Sequence, residues 1–166
     1  KLADVGCTIC HDGQGSATVF ELLPPEMRDL KIAGRLDKDS SGLVVLTNDG
    51  QLMQELTHPS NDKEKVYHVT ISKPLADGDI ARFARGVHIG DERVSKLEVL
   101  PLQPTLKSKN SNLTSCSYEV RIHEGRNRQI RRSFEALGYH VTALHRTHLG
   151  PYELGVLIQK QYKIID

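Results

Sequence analysis

No stretch of the chain approaches the ~20 consecutive apolar residues that a membrane-spanning helix needs, and no basic segment followed by an apolar run marks a leader. These absences point to a cytoplasmic protein with no membrane partner. Three cysteines, an odd number, do not make a disulfide framework. Cys7-Thr8-Ile9-Cys10-His11 has the spacing of covalent haem attachment. That chemistry also needs export and a mostly helical wrap around the ring, and the sequence offers neither. No second cysteine pair follows to complete a zinc site, and Cys116 stands alone. Internal repeats are absent. The formal net charge is only +1, so any charge-driven recognition must come from local clustering.

What remains is 166 residues, enough for one domain, or one domain of two lobes, with a real core. Thr18 to Leu23, stopped by Pro24-Pro25, reads as a short helix or turn. Asn48-Asp49-Gly50 is a turn signal, and Asp49 suits the cap of a helix over 51–58 with Leu52, Met53 and Leu56 inward. Period-two alternation predicts a strand over 65–71 with Tyr67, Val69 and Ile71 on one face. A helix suits 79–85, a hairpin 87–102, a loop 103–112 and a strand 116–123. Ile130, Phe134 and Leu137 fall at i, i+4 and i+7 of a helix that Gly138 stops. Strands over 141–144 and 161–165 complete an α+β pattern of meanders with a few helices.

Two features carry chemistry. Gly34-Arg35-Leu36-Asp37-Lys38-Asp39-Ser40-Ser41-Gly42 is a polar, glycine-bounded loop between apolar runs, a place to mount a reactive side chain on a rigid support. The same composition also serves ordinary turns. Farther on, Arg126, Arg128, Arg131 and Arg132 crowd the start of a helix, where guanidinium forks suit phosphate oxygens; His145-Arg146 and Lys65 extend this basic surface. The competing reading pairs these arginines with Glu124 and Glu135. Tyr67 is by itself an ordinary core tyrosine, although beside a reactive Asp it could stack on a base.

The loop and the following Leu46-Thr47-Asn48-Asp49-Gly50 resemble the signature of the ribosomal RNA pseudouridine synthases of the RsuA type. Lys65-Val66-Tyr67-His68-Val69 resembles the family's second motif. Glu124-Gly125-Arg126-Asn127-Arg128-Gln129-Ile130-Arg131-Arg132 resembles the third, and Leu144-His145-Arg146 with Gly150 the segment after it. The resemblance implies a pseudouridine synthase fold, a mixed and mainly antiparallel sheet in two lobes around a basic cleft. It implies one catalytic domain over 1–166 without the small RNA-binding S4 domain that many relatives carry. It further implies a monomer that acts on ribosomal RNA, the small-subunit RNA slightly favoured, with no metal and no cofactor. By position, Asp37 matches the essential aspartate and Arg35 the residue that helps hold a flipped nucleotide. Tyr67 matches the base-stacking tyrosine, Arg131 the basic residue paired with the aspartate, and Leu144 the apolar residue near them. Arg126, Arg128, Arg132 and Arg146 are then expected to contact RNA.

Departures from the family pattern are Lys1-Leu2-Ala3-Asp4 for an opening Lys-Pro-x-Gly, Ser133 for a methionine, and Lys160-Gln161-Tyr162-Lys163 near the end. Two other readings stand beside this one. One is a non-catalytic RNA-binding or ribosome-assembly protein. The other is a hydrolase using Asp37 and Asp39 as a carboxylate pair. Two positions apart on an extended segment, those carboxylates are expected to point to opposite faces, which counts against a shared site.

Overall fold

A computed structural model describes residues 1–3, 5–7, 18–102 and 116–165. The Cys7-Thr8-Ile9-Cys10-His11 spacing falls largely outside them, as does the loop expected over 103–112. The chain divides into two compact units, Lys1–Lys65 with His145–Asp166, and Val66–Leu144.

In the first unit, strand β1 (Lys31–Ala33) precedes the short strand β2 (Ser41–Gly42), and β1 pairs antiparallel with β3 (Val45–Thr47). Helix α1 (Gly50–Thr57) starts where expected, because Asp49 Oδ1 accepts from Gln51 N at 2.8 Å and from Leu52 N at 3.3 Å. Such a cap contributes about 1 kcal/mol. The helix packs Leu56 into a core with Ala33, Leu43, Val45 and Leu149, while Leu52 and Met53 cover its edge. Val5, Val19, Phe20 and Leu23 form a second cluster. The turn of 3-10 helix Val19–Leu22 that supplies it opens on a capping box between Thr18 and Glu21.

The second unit contains most of β4 (Lys65–Ile71), then α2 (Asp79–Arg85), β5 (Glu98–Pro101), β6 (Ser117–Ile122) and α3 (Gln129–Ala136). Strand β7 (Val141–Leu149) begins in this unit and ends in the first, where it pairs antiparallel with β8 (Tyr152–Glu153). The sheet order is β7-β4-β6-β5. Along β4, Tyr67, Val69 and Ile71 are buried, as the alternation predicts, whereas on the other face His68 is exposed, Thr70 half-buried and Val66 buried. Phe83 of α2 and Phe134 of α3 stack with ring centroids 4.6 Å apart, both fully buried. Gly138, at φ 79, ends α3: its N–H reaches Glu135 O, and Tyr139 N–H reaches back to Phe134 O.

Three expectations change. The hairpin over 87–102 shrinks to one bridge, Val87 to Ser95, because Leu97 N–H turns to Phe83 O and β5 takes β6 as its partner instead. Strand β7 runs well past residue 144. Its polar stretch hid the strand in the sequence, since the Arg146 side chain is buried there despite its charge. Residues 161–165 form no strand; Ile164 and Ile165 are both exposed, and no sheet edge receives them among the described residues.

Candidate active site

The motif loop in the first unit is fixed chiefly through its backbone. Gly34 (φ 77) and Gly42 (φ 113) bound it. Leu36 is buried beneath it, and Ser40 N–H closes a turn onto Asp37 O at 3.1 Å. The Lys1 ammonium donates to the carbonyls of Asp37 (3.2 Å), Lys38 (3.1 Å) and Ser40. On the far side, β2 runs parallel to β7 with Ser41 opposite His145 and Gly42 opposite Arg146. Ser41 Oγ and His145 Nδ1 are 2.8 Å apart. Asp37 is half-buried on this frame, whereas Arg35 and Asp39 are exposed. The carboxylate pair of the hydrolase reading is thus unequal, one member half-buried and the other in solvent.

Arg146 does not lie on a basic surface. It is 1% exposed, its Nε and Nη2 donate to Leu43 O at 3.0 and 2.8 Å, and Nη2 also donates to Gly34 O at 2.7 Å. A cation enclosed this way by backbone carbonyls cannot meet an RNA phosphate. The expected RNA contact therefore becomes an internal brace. Lys65, half-buried nearby, has its pKa drawn below the usual lysine value by burial first and by repulsion from Arg146 second.

In the second unit the arginine cluster divides. Arg132 donates to Asp91 Oδ1 at 2.5 Å and to Ile89 O, and Arg126 Nη1 reaches Asp91 Oδ2 at 3.4 Å. Arg126 also bonds Glu124, Arg93 O and Val94 O. These two arginines staple the 89–95 turn onto the start of α3. The Asp91 carboxyl is held below the usual carboxylate range, mainly by its hydrogen bond from Arg132. Hydrogen bonding to Glu124 correspondingly raises the Arg126 pKa. The acidic-partner reading is right for Glu124, while Glu135 has no partner among the described residues. Asp91, the second partner, stands 35 positions before Arg126, too far along the chain for any local signal to mark it.

Arg128, exposed and left-handed at φ 47, caps the start of α3. Arg131 is half-buried, with Nη1 2.9 Å from Val141 O. Tyr67 and Leu144 are both buried. Ser133, at the position where a methionine is usual, is fully buried, its Oγ 2.8 Å from Ser95 Oγ and from Gln129 O. Gln129 Nε2 donates to Ser95 Oγ at 3.0 Å, which closes a ring of hydrogen bonds that a methionine could not join. No group of three or more His, Cys, Asp or Glu suited to a metal occurs among the described residues, and no helix there is long and apolar enough to cross a membrane.

The first unit thus holds a half-buried carboxylate on a braced loop, and the second holds both an arginine-rich helix start and a strand with a buried tyrosine. A ribosomal large subunit pseudouridine synthase E from Vibrio parahaemolyticus is 36% identical over 163 residues, 93% of this chain and 67% of that protein. A ribosomal small subunit pseudouridine synthase A from Escherichia coli is 36% identical over 140 residues, 84% of this chain. The chain spans 56% of that second relative's length. A crystal structure of a pseudouridylate synthase superposes with a TM-score of 0.86 at 29% identity, covering 100% of this chain and 67% of that one. With residues 10–136 also matching the RNA pseudouridylate synthase family as a whole, the chain belongs to that family and has its α+β fold.

Proposed function

We propose that the protein converts a specific uridine of ribosomal RNA to pseudouridine. The observation that carries this reading is the braced loop of the first unit, which holds Asp37 half-buried within the family's matched region. A uridine in folded RNA must leave its stack before its C1′ can be reached, which costs a few kcal/mol and is offset by contacts to the backbone. The C1′–N1 bond breaks, the uracil turns, and C5 bonds to C1′ while the C5 proton leaves and N1 gains one. The product is an isomer of the substrate, so the balance requires no oxidant, reductant or co-substrate.

Asp37 acts at the sugar as nucleophile or at the sugar proton as base. Tyr67 stacks on the displaced base, Arg35 helps hold the nucleotide out of the helix, and Arg131 is the cation that serves the carboxylate. Leu144 supplies apolar packing near the base. Of the third motif's arginines, Arg128 is the exposed one and is assigned to phosphate contact, while Arg126 and Arg132 hold Asp91 and the 89–95 turn. Between the two ribosomal RNAs we favour that of the small subunit, although the relatives' names include both. Mapping of pseudouridine in separate small- and large-subunit transcripts, with and without the protein, tests the assignment. One new site in the small-subunit transcript is expected. Tight binding without any new site would identify a binding protein instead.

A further inference from the structure

We infer that Arg146 is a positioning residue, a brace that joins the two ends of the motif loop and so sets where Asp37 stands. The inference rests on Asp37 being the reacting carboxylate. Among the described residues Arg146 is the bulkiest fully buried side chain, and no carboxylate pairs with it there. A buried cation without a counter-ion costs stability, and an apolar residue of similar volume would often serve folding better. What the guanidinium offers instead is a rigid planar fork with donors on several edges.

The fork spans the loop. Nη2 bonds Gly34 O (2.7 Å) at the loop's start and Leu43 O (2.8 Å) just past its end. Nε adds a second bond to Leu43 O (3.0 Å), and Nη1 lies at the limit of hydrogen-bond reach from Arg35 O (3.5 Å). The Arg146 backbone fixes the same end, its carbonyl accepting from Leu43 N–H at 2.8 Å. Gly34 leaves room at the first end, since a Cβ there would stand 3.7 Å from Nη1 and 3.3 Å from Leu149 Cδ2. The loop cannot widen without breaking these bonds in a buried setting. A lysine, one ammonium on a flexible stem, cannot bond both ends with the same geometry.

The test compares wild type with Arg146→Lys and Arg146→Ala in single-turnover pseudouridine formation, RNA affinity and amide exchange. Misplacing a reacting group by about an ångström costs on the order of 100-fold. Arg146→Lys is therefore expected to lose ~10- to 100-fold in the chemical step, with RNA affinity within about two-fold of wild type. Faster amide exchange should be confined to residues 35–43, and millimolar guanidinium should restore part of the rate to Arg146→Ala. If Arg146→Ala does not fold, Arg146→Lys carries the test alone. An unchanged rate would overturn the inference, as would a loss confined to RNA affinity or a uniform rise in exchange across the first unit. If the wild type forms no pseudouridine, the proposed function fails, while the exchange measurement still decides whether Arg146 braces the loop.

Discussion

Replacing Gly42 by alanine adds one methyl group where the motif loop lies against the Arg146 backbone. The new Cβ would stand 2.5 Å from Arg146 N and 2.9 Å from Arg146 C, and closer still to the carbonyl oxygen. These are backbone atoms in a paired strand, so no side chain can rotate out of the way. The backbone at φ 113 is itself unfavourable for alanine, by about 1–3 kcal/mol. Relief of the clash must stretch the 2.8 Å bond from Leu43 N–H to Arg146 O, and losing a buried bond costs about 1–3 kcal/mol more. Together these predict a loss of several kcal/mol from a total of roughly 5–15. For a chain of this length the midpoint of thermal unfolding should fall by on the order of 10 °C. Gly50→Ala is the control. Gly50 opens α1, nothing lies within 4 Å of its added Cβ, and the change should stabilise by about 0.4–1 kcal/mol. Scanning calorimetry on both variants decides. A Gly42→Ala midpoint within about 2 °C of wild type would refute the close-approach argument.

Two further predictions concern the second unit. Tyr139 O–H donates to Asp79 at 2.5 Å, and this bond is the main reason the buried Asp79 carboxyl sits below the usual range and the Tyr139 pKa above it. Because the folded Asp79 pKa is depressed, its stabilisation is present above the unfolded value of about 3.9 and disappears as pH falls through the lower folded value. For Tyr139, whose folded pKa is raised, stabilisation is present below about 10 and lost as pH climbs through the folded value. Tyr139→Phe should cost about 1–3 kcal/mol at neutral pH and flatten the acid limb of urea-unfolding stability, and an acid limb as steep as wild type would count against the bond. On RNA, Arg128→Gln should reduce the slope of log affinity against log salt by roughly 0.7–0.9, whereas Arg132→Gln should leave it unchanged, because Asp91 already neutralises Arg132. Equal slope changes in the two variants would show that Arg132 also meets phosphate.

The elements with local signals were legible in the sequence. Asp49 before an apolar stripe marked α1, alternation marked β4, and Gly138 marked the end of α3, each through hydrogen bonds or burial within a few residues. The features that escaped are long-range. Nothing near Arg132 announces Asp91, 41 positions earlier, and nothing in His145-Arg146 announces a buried guanidinium bonded to carbonyls more than 100 residues away. Charge is a poor guide there, because exposed and buried arginines look alike in a sequence. Ile164 and Ile165 show the converse failure: residues suited to a strand make one only where an edge receives them.

Asp37→Asn removes the proposed reacting carboxylate with almost no change in shape. The measurement is pseudouridine formation in ribosomal RNA transcripts, made beside RNA affinity on the same preparation. The asparagine variant is expected to form no detectable pseudouridine and to bind RNA as wild type does. Turnover near the wild-type rate in that variant would contradict the role proposed for Asp37.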